Sequence, residues 1–356
     1  MSKQHLAEIP SGQKPVVGAS ILVILMGALG DVARGLVIVD QLKRSFPGGR
    51  VSWLVEPKCE ELVRLHPRID RVIVYRRGKG IVALRELWRE LRREKFDVAI
   101  DLQRHFKSGV FSFCSAAPRR LGFHPRNAKE FNWVFNTEYV SYLGEDVSKL
   151  VHYLSFMRSL GAEVLEPYDF GFSRPDLPLL PPLDKLLNRP YLVAVLGSSW
   201  ESKNWFIDGY AQICAMLQSR GSHALVLVGD KRQSLDAEQL RKQFPGLVHN
   251  LVGQTSLADL LRIVAHADVA FGPDSGPGHV AAALKTPYVS LFGPTSPKRV
   301  APYAADDLVV HAALGCMPCA RRVCPGLGKL CMRLISAELV FEKIEQALLL
   351  RTVRNK

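Results

Sequence analysis

The residues best suited to holding a diphosphate lie in one short segment, residues 271–279, which reads FGPDSGPGH. A strand is predicted to end here and a helix to follow, so Asp274, Ser275 and His279 would meet at a helix start, with the Gly276 backbone accessible. Unpaired N–H groups and the positive end of the helix dipole attract anions at such a place. We therefore interpret this loop as a diphosphate site; the alternative for His279 is a histidine packed in the core.

A second strand-to-helix loop, residues 197–205, also offers groups that bind phosphate, and it reads GSSWESKNW. The hydroxyls of Ser198 and Ser199, with backbone amides at a helix start, suit a phosphate oxygen. Lys203 adds a full positive charge. The alternative is a surface turn with a solvated lysine.

Two aspartates each follow a glycine at the end of a predicted strand. Asp31 is a candidate general base, because a carboxylate within hydrogen-bond reach of a hydroxyl accepts its proton. The alternative for Asp31 is a helix N-cap. Asp230 is a candidate ligand of a ribose hydroxyl, and its alternative is a cap or turn residue.

Alternating strands and helices must position these loops, and the alternation occurs in both halves of the chain. The continuous apolar run at 20–26 is typical of a central parallel strand, and 96–102 and 191–196 are predicted to be strands as well. The spacing of apolar residues over 32–46 predicts one helix. The sequence therefore predicts an α/β protein with doubly wound parallel sheets.

A proline-rich stretch, residues 174–190, separates the two halves. Proline at this density does not continue a helix or a central strand, so we interpret the stretch as a linker between domains 1–173 and 191–356. Ligands of open α/β sheets bind outside the carboxyl ends of the strands, where the four candidate loops lie.

Charge is unevenly distributed along the chain, whose formal net charge is +13. Residues 71–126 alone contain 14 Lys and Arg against 5 Asp and Glu. A basic surface favours anionic partners such as phosphorylated sugars or acidic lipid headgroups. The alternative is a basic surface that is solvated and has no such partner. The sequence contains no nucleic-acid recognition motif, so nucleic acid is not predicted as a partner.

The apolar run 16–30 imitates a signal peptide or a membrane span. It is interrupted by glycines and is shorter than the roughly 18–20 residues that a span needs. It lacks a convincing cleavage site. We predict a buried first strand and a cytoplasmic protein.

Four of the seven cysteines cluster in the loop 316–331, and three are isolated. The isolated residues Cys59, Cys114 and Cys214 are expected to act as small core hydrophobes. The clustered residues are Cys316, Cys319, Cys324 and Cys331. A structural zinc site, a redox pair and free thiols all remain open for them, and no metal ligand is assigned.

The order of these loops resembles glycosyltransferase family 9, the bacterial heptosyltransferases, over about residues 20–345. The matching segments are Gly30-Asp31, Asp101-Leu102-Gln103 with Lys107-Ser108, Gly122-Phe123, His152, Lys203, Asp274-Ser275-Gly276-x-x-His279 and Gly293-Pro294-Thr295. The Asp-Ser-Gly-x-x-His motif is the most specific. Where the family's first helix often carries a proline, this chain has Arg34 and its neighbours.

The resemblance implies a GT-B architecture, in which two Rossmann-like domains face a central cleft. Domain 1–173 would bind the acceptor and domain 191–356 the nucleotide-sugar donor. It implies an inverting, metal-independent enzyme that needs no cofactor and moves heptose from ADP-heptose to a lipopolysaccharide core or lipid A acceptor. The implied partners are the donor, an anionic lipopolysaccharide precursor and the inner-membrane surface.

The resemblance also assigns roles to individual residues. Asp31 would be the catalytic base, and Lys203 would stabilise the departing diphosphate. The implied donor-binding residues are Ser198, Ser199, Lys203, Asp230, Thr255, Asp274, Ser275, Gly276 and His279. The implied acceptor-binding residues are Gly30, Gln103 and Lys107.

Three alternatives compete with this interpretation. One is a family member that uses another nucleotide sugar or acceptor. Another is a nucleotide-sugar-binding protein without turnover, which the presence of both Asp31 and Lys203 argues against. The last is a GT-B sugar-nucleotide epimerase, which the Asp-Ser-Gly-x-x-His loop disfavours.

Overall fold

The structure, a computed structural model, describes residues 18–326 and 328–354, and it falls into two compact units. Unit 1 is Met1–Gly171 and unit 2 is Phe172–Lys356. Each unit contains a six-stranded parallel sheet flanked by helices.

Unit 1 is built on the strand order β3-β2-β1-β4-β5-β6. Its strands are β1 (Ser20–Ile24), β2 (Arg50–Val55), β3 (Arg71–Val74), β4 (Val98–Asp101), β5 (Arg119–Gly122) and β6 (Glu138–Tyr139). Its helices are α1 (Leu29–Gly35), α2 (Val37–Ser45), α3 (Pro57–Arg64), α4 (Gly80–Arg93), α5 (Phe106–Cys114) and α6 (Lys149–Ser159). Short 3-10 turns occupy Arg77–Lys79 and Asn132–Phe135.

Unit 2 repeats the same topology, with the order β12-β11-β10-β7-β8-β9. Its strands are β7 (Tyr191–Val195), β8 (Ala224–Val228), β9 (Val248–Asn250), β10 (Val269–Pro273), β11 (Tyr288–Phe292) and β12 (Val309–His311). Its helices are α7 (Leu183–Leu186), α8 (Ile207–Arg220), α9 (Ser234–Gln243), α10 (Leu257–His266), α11 (Gly276–Ala283), α12 (Pro297–Val300), α13 (Leu330–Arg333) and α14 (Ala337–Arg354). Its 3-10 turns are Arg174–Asp176, Glu201–Lys203, Lys231–Gln233 and Asp306–Leu308.

The central strands explain why the apolar runs were visible in the sequence. All residues of β1, β7, β10 and β11 are buried, because helices cover both faces of each sheet. The predicted strand within 16–30 is therefore confirmed at Ser20–Ile24, although residues 16 and 17 lie outside the described part. Within that part, no helix is long and apolar enough to cross a bilayer.

The strand order in each sheet reverses beside its first strand. In unit 1, β1 lies between β2 and β4; in unit 2, β7 lies between β8 and β10. Connections leave such a switch point on opposite sides of the sheet and open a crevice at the carboxyl ends of the strands. The loops after β1, β4, β7 and β10 carry most of the predicted site residues, so the fold places them where ligands bind.

The single helix predicted over 32–46 is wrong, because the chain forms α1 and α2 with a break at Leu36. Gly35 ends α1 and approaches the core so closely that an added Cβ would lie 2.5 Å from Cδ2 of Leu25. Glycine is also the poorest helix former after proline. The break therefore comes from tertiary packing around Gly35.

The proline-rich stretch 174–190 belongs to unit 2 in this division of the chain. It contains a 3-10 turn and the four-residue helix α7. The boundary between the units falls at Gly171, just before it.

Candidate functional site

Asp274 forms the centre of the polar network in unit 2. It follows β10 directly, and its Oδ2 accepts hydrogen bonds from Nζ of Lys203 and Oγ1 of Thr295, both at 2.7 Å. The side chains of Asp274 and Lys203 are only 6% and 13% exposed. This carboxylate therefore fixes the loops that follow β7 and β11 against its own loop.

The loop after β7 is held by two further contacts. Oγ of Ser198 donates to the main-chain oxygen of Asp274 at 3.3 Å, and the Ser198 amide donates to Oδ1 of Asn204 at 2.8 Å. The Lys203 ammonium lies 4.6 Å from the centre of the Trp200 ring. Ser199 is exposed at the surface of the same loop. Lys203 is thus oriented on one side by a carboxylate and on another by an aromatic face.

Helix α11 begins beside this network, with Ser275 at its N-cap position and Gly276 as its first residue. His279 is buried in this helix, and its Nε2 lies 3.9 Å from Oδ1 of Asp274. The structure therefore brings Asp274, Ser275, Gly276 and His279 to one helix start, as the motif predicted. This positive end of a helix, together with Lys203, is suited to a diphosphate.

Close packing holds helix α11 against the sheet. A Cβ added to Gly278 would lie 2.6 Å from Cε1 of the buried Tyr288 ring on β11. Only glycine allows the helix to approach the strand this closely. The position of the helix start therefore depends on Gly278 as well as on the polar motif.

Asp230 caps a turn, which is the alternative to ribose binding that the sequence allows. Its carboxylate caps the 3-10 turn Lys231–Gln233, accepting from the amide of Arg232 at 2.8 Å. The hydrogen bond from the Arg232 guanidinium lowers the pKa of Asp230. Arg232 in turn points Nη2 towards the main-chain oxygen of Ser198, 3.5 Å away. Thr255 is half-buried and immediately precedes Ser256, the N-cap of α10.

In unit 1, Asp31 lies in the first turn of α1, so the alternative of a helix N-cap is wrong. The N-cap position belongs to Ala28. Oδ1 of Asp31 accepts a hydrogen bond from Nζ of Lys149 at 2.8 Å and another from Nη1 of Arg34 at 2.9 Å. Both bonds use Oδ1, which leaves Oδ2 as the oxygen that can accept a proton from a substrate hydroxyl.

The surroundings of Asp31 keep it ionised. Burial raises its pKa, but the positive charges and hydrogen bonds of Lys149 and Arg34 together outweigh burial and hold the pKa below the ordinary value of 3.8. The Asp31 side chain is 26% exposed, so a substrate can reach it. A carboxylate at neutral pH is the form that a general base requires.

The predicted acceptor-binding residues already have partners within unit 1. Oε1 of Gln103 accepts from the amides of Met26 at 2.8 Å and Gly27 at 3.3 Å, so Gln103 shapes the loop before Asp31. Nζ of Lys107 pairs with Oε1 of Glu56 at 2.6 Å. Gly30 lies within α1. The structure brings Gly30 and Gln103 to the Asp31 loop, while the charge of Lys107 is balanced by Glu56.

Comparison with known proteins decides the family. Residues 84–329 match the sequence model Glyco_transf_9, "Glycosyltransferase family 9 (heptosyltransferase)", which is more than half of the chain. The chain belongs to glycosyltransferase family 9. The predicted family is confirmed, and the protein is a glycosyltransferase.

Individual members of family 9 match along most of the chain. The chain is 25% identical over 297 residues to the lipopolysaccharide core heptosyltransferase OpsX of Haemophilus influenzae, covering 82% of this chain and 84% of OpsX. It is 26% identical over 322 residues to lipopolysaccharide heptosyltransferase 1 of Pseudomonas aeruginosa, covering 85% and 87%. The solved structure of the E. coli heptosyltransferase WaaC with ADP is 21% identical, with a TM-score of 0.74, covering 92% of this chain and 99% of WaaC. This likeness confirms the predicted α/β GT-B fold.

The cysteine-rich loop of this family 9 enzyme forms hydrogen bonds with the loops around Lys203. Nothing in the sequence indicated these contacts. The amide and hydroxyl of Ser202 donate to the main-chain oxygens of Arg322 at 3.1 Å and Arg321 at 2.6 Å. The amide of Ala320 donates to the main-chain oxygen of Pro294 at 2.8 Å. The backbone of residues 320–322 therefore holds both loops that meet at Asp274.

The seven cysteines all lie in the described part of the chain, where none of them forms a disulfide, and they differ in exposure. Cys316 and Cys319 are exposed, whereas Cys59 and Cys214 are buried. Among the described residues, no three Cys, His, Asp or Glu side chains are arranged as a ready metal site. Burial raises the pKa of Cys59 to about 11 and that of Cys214 to about 12.

We predict that a thiol reagent such as iodoacetamide modifies Cys316 and Cys319 rapidly at neutral pH, because both residues are exposed to solvent. Cys59 and Cys214 should react only after unfolding, since burial both shields them and keeps them protonated. Peptide mapping by mass spectrometry over time measures each site separately. Early modification of Cys59 in the folded enzyme would contradict the packing described here, and a sample in denaturant provides the control.

Asp101 holds together the loop that follows β4. It is fully buried and accepts hydrogen bonds from Nδ2 of Asn132 at 2.6 Å, Oγ of Ser108 at 2.9 Å and the amide of Gln103 at 3.0 Å. Burial is the largest influence on this carboxyl and raises its pKa from 3.8 to about 6 in spite of these bonds. The Asp of the family's D-x-Q segment is thus a structural residue that positions Gln103.

We expect Asp101 to contribute less to the stability of unit 1 as pH rises from 3.8 to about 6, because the folded protein holds the Asp101 proton more tightly than the unfolded chain does. A shift of this size corresponds to about 3 kcal/mol between the two ends of the range. Asp101→Asn is neutral at every pH and should remove this part of the slope. Thermal unfolding of both proteins across the range tests this, since other titrating groups cancel in the difference. Parallel pH curves would show that folding does not raise the pKa of Asp101.

Proposed function

We propose that this family 9 glycosyltransferase transfers a heptose, or a closely related sugar, from an ADP-activated donor to an acceptor of the lipopolysaccharide core or lipid A. The observation that carries the proposal is the buried Lys203–Asp274 pair at the start of α11. The activities named for OpsX and the P. aeruginosa relative support the sugar and the acceptor. The ADP in the WaaC structure supports the adenine nucleotide.

Unit 2 supplies the groups that hold the donor diphosphate. As the bond to the sugar breaks, negative charge grows on the bridging oxygen of the diphosphate. The amides at the start of α11 and the ammonium of Lys203 are fixed before the reaction, so they stabilise this charge without reorganising. We propose that Ser198, Ser275 and His279 complete the diphosphate site and that no metal or other cofactor is required.

Unit 1 supplies the base in this proposal. Oδ2 of Asp31 takes the proton from the acceptor hydroxyl as the hydroxyl oxygen attacks the sugar carbon opposite the leaving diphosphate. One displacement of this kind inverts the configuration at that carbon. Lys149 and Arg34 keep Asp31 ionised and fix the position of its other oxygen.

We also propose that the enzyme works in the cytoplasm at the surface of the inner membrane, where an anionic lipid-linked acceptor would be found. The excess of basic residues in 71–126 supports an anionic partner. Nucleic acid is not proposed as a partner.

The test combines donor binding with product analysis. Calorimetry with ADP-heptose, a UDP-sugar and a GDP-sugar should show binding of the ADP-sugar alone. Incubation of ADP-heptose with a heptose-free lipopolysaccharide core should then give a product with one added heptose of inverted linkage. Lys203→Ala should weaken this binding, and Lys242→Ala, at an exposed position on α9, is its matched control. Binding of another nucleotide sugar would overturn the donor, and binding without product would overturn the transfer.

A further inference from the structure

Helix α4 in unit 1 has an unusual surface, because its exposed residues are large and apolar. Ile81 is 71% exposed, Val82 59% and Trp88 46%. Leu84 is exposed as well. Exposure of several large apolar side chains to water is unfavourable, so an exposed apolar helix face marks an interaction site.

The inner face of α4 already has its own partners. Ala83, Leu87 and Leu91 are buried, and Leu87 and Leu91 pack into the core of unit 1. These three residues recur every four positions and so line one side of the helix. The exposed apolar residues are therefore additional to the face that the fold uses.

Positive charge is interleaved with the exposed apolar residues. Arg85, Arg89 and Arg92 are exposed, and a helical period of 3.6 residues places them on the same side as Ile81 and Trp88. The guanidinium carbon of Arg92 lies 5.7 Å from the centre of the Trp88 ring.

Two of the three acidic residues in 80–94 have a partner on the sheet, whereas the third, Glu86, is exposed on α4 among four exposed arginines. Glu90 and Glu94 pair with Arg71 at 2.9 and 2.6 Å. Both carboxylates therefore bind the guanidinium of Arg71, the first residue of β3. The outward face of α4 is left with an excess of arginine.

A second group of exposed apolar residues lies on the elements that neighbour α4. Helix α4 packs against α5, and α5 packs against the 3-10 turn Asn132–Phe135. The exposed apolar residues there are Phe106 and Phe113 on α5, Phe131 directly before the turn, and Trp133 and Val134 within it. The Arg120 guanidinium lies 5.7 Å from the centre of the Phe113 ring, repeating the pairing of arginine with an aromatic ring. We call α4, α5 and this turn, with these exposed residues, the α4–α5 face.

We infer that the α4–α5 face docks on an anionic lipid bilayer, with Ile81 and Trp88 inserted among the headgroups and the arginines bound to phosphates. Interfacial helices combine aromatic and aliphatic residues with arginine in this way. Each arginine near an anionic surface adds about 1 kcal/mol of attraction. The inference deepens the proposed function, on which it rests, by naming the surface that brings the enzyme to a lipid-linked acceptor.

Vesicle binding tests the inference without any requirement for activity. The full chain is mixed with vesicles of phosphatidylcholine alone, or of phosphatidylcholine and phosphatidylglycerol, and the bound fraction is measured by sedimentation. Binding should need phosphatidylglycerol and weaken with salt. Replacing Arg85, Arg89 and Arg92 together by glutamine should weaken it about a hundredfold. Ile81→Ser with Trp88→Ser should weaken it by at least about tenfold, because apolar burial is lost.

Matched variants in unit 2 test whether vesicle binding depends on the α4–α5 face or only on the total charge and hydrophobicity of the protein. Replacing Arg220, Arg241 and Lys242 by glutamine removes the same number of positive charges from exposed positions. Leu235→Ser removes a leucine that is 86% exposed. Both controls should bind vesicles like the unchanged protein. Equal losses in the controls and the α4 variants, or binding unaffected by any variant, would overturn the inference.

Two acceptor forms distinguish failure of this inference from failure of the proposed function. With a water-soluble core acceptor, the α4 variants should transfer sugar as fast as the unchanged protein. With the same acceptor embedded in phosphatidylglycerol-containing vesicles, the α4 variants should be slower by at least about tenfold. Vesicle binding without transfer to either form would reject the proposed function alone. If every variant transfers sugar equally well to both acceptor forms, the docking surface is rejected and the proposed function stands. This conclusion holds even if the face is found to bind another protein.

Discussion

Asp31→Asn is expected to abolish sugar transfer while leaving donor binding intact. An asparagine amide has nearly the shape of the carboxylate but does not accept the proton of the attacking hydroxyl. General-base catalysis contributes about 10²- to 10⁴-fold to a rate, so kcat should fall by that factor. The donor groups proposed here belong to unit 2, so calorimetric binding of the nucleotide sugar should not change. Transfer at saturating donor and acceptor measures the first effect.

The acid limb of the pH profile gives a second, independent measure of Asp31. Because Lys149 and Arg34 hold its pKa below 3.8, transfer should persist as pH is lowered and should fall only when pH passes through that depressed pKa. Lys149→Met removes one of the two cations but leaves the burial that raises the pKa. The acid limb should therefore move to higher pH.

Lys149→Arg is the matched control, since it retains the charge beside Asp31 and should restore the original profile. A residue with a purely structural role would change the rate at all pH values without moving the limb. Full transfer by Asp31→Asn, or an acid limb unchanged in Lys149→Met, would show that Asp31 is not the base.

The central strands of both units were predictable because local sequence determines them, whereas the short strands β5, β6, β9 and β12 were not predicted. A buried parallel strand is a continuous apolar run, and β1 and β7 appear as such runs in the sequence. The break between α1 and α2 was not predictable. It depends on contact between Gly35 and Leu25 on a neighbouring segment, which the spacing of apolar residues over 32–46 does not record.

The site shows the same division between local and distant information. Asp274 and His279 are five positions apart, so their motif and the helix start are visible together. Lys149 bonds to Asp31 across 118 positions of sequence, and no motif joins them. Asp230 illustrates what a local rule can give, because the rule for acidic caps describes its contacts in the structure, while the ribose contact implied by the family resemblance stays a prediction.

Lys203→Met is expected to reduce both the stability of unit 2 and donor binding, and a second substitution separates the two effects. Lys203 and Asp274 are buried together, so removing the lysine leaves a buried carboxylate that keeps the hydrogen bond from Thr295 and the more distant His279 ring but loses its ammonium partner. Breaking a buried pair in this way costs about 3–5 kcal/mol. Asp274→Asn added to Lys203→Met removes the unpaired charge, and much of the lost stability should return. Donor affinity should not return, because the cation facing the diphosphate is still absent.

Thermal unfolding and calorimetry on the single and double variants measure the two effects. Recovery of donor binding in the double variant would mean that Lys203 serves only to neutralise Asp274.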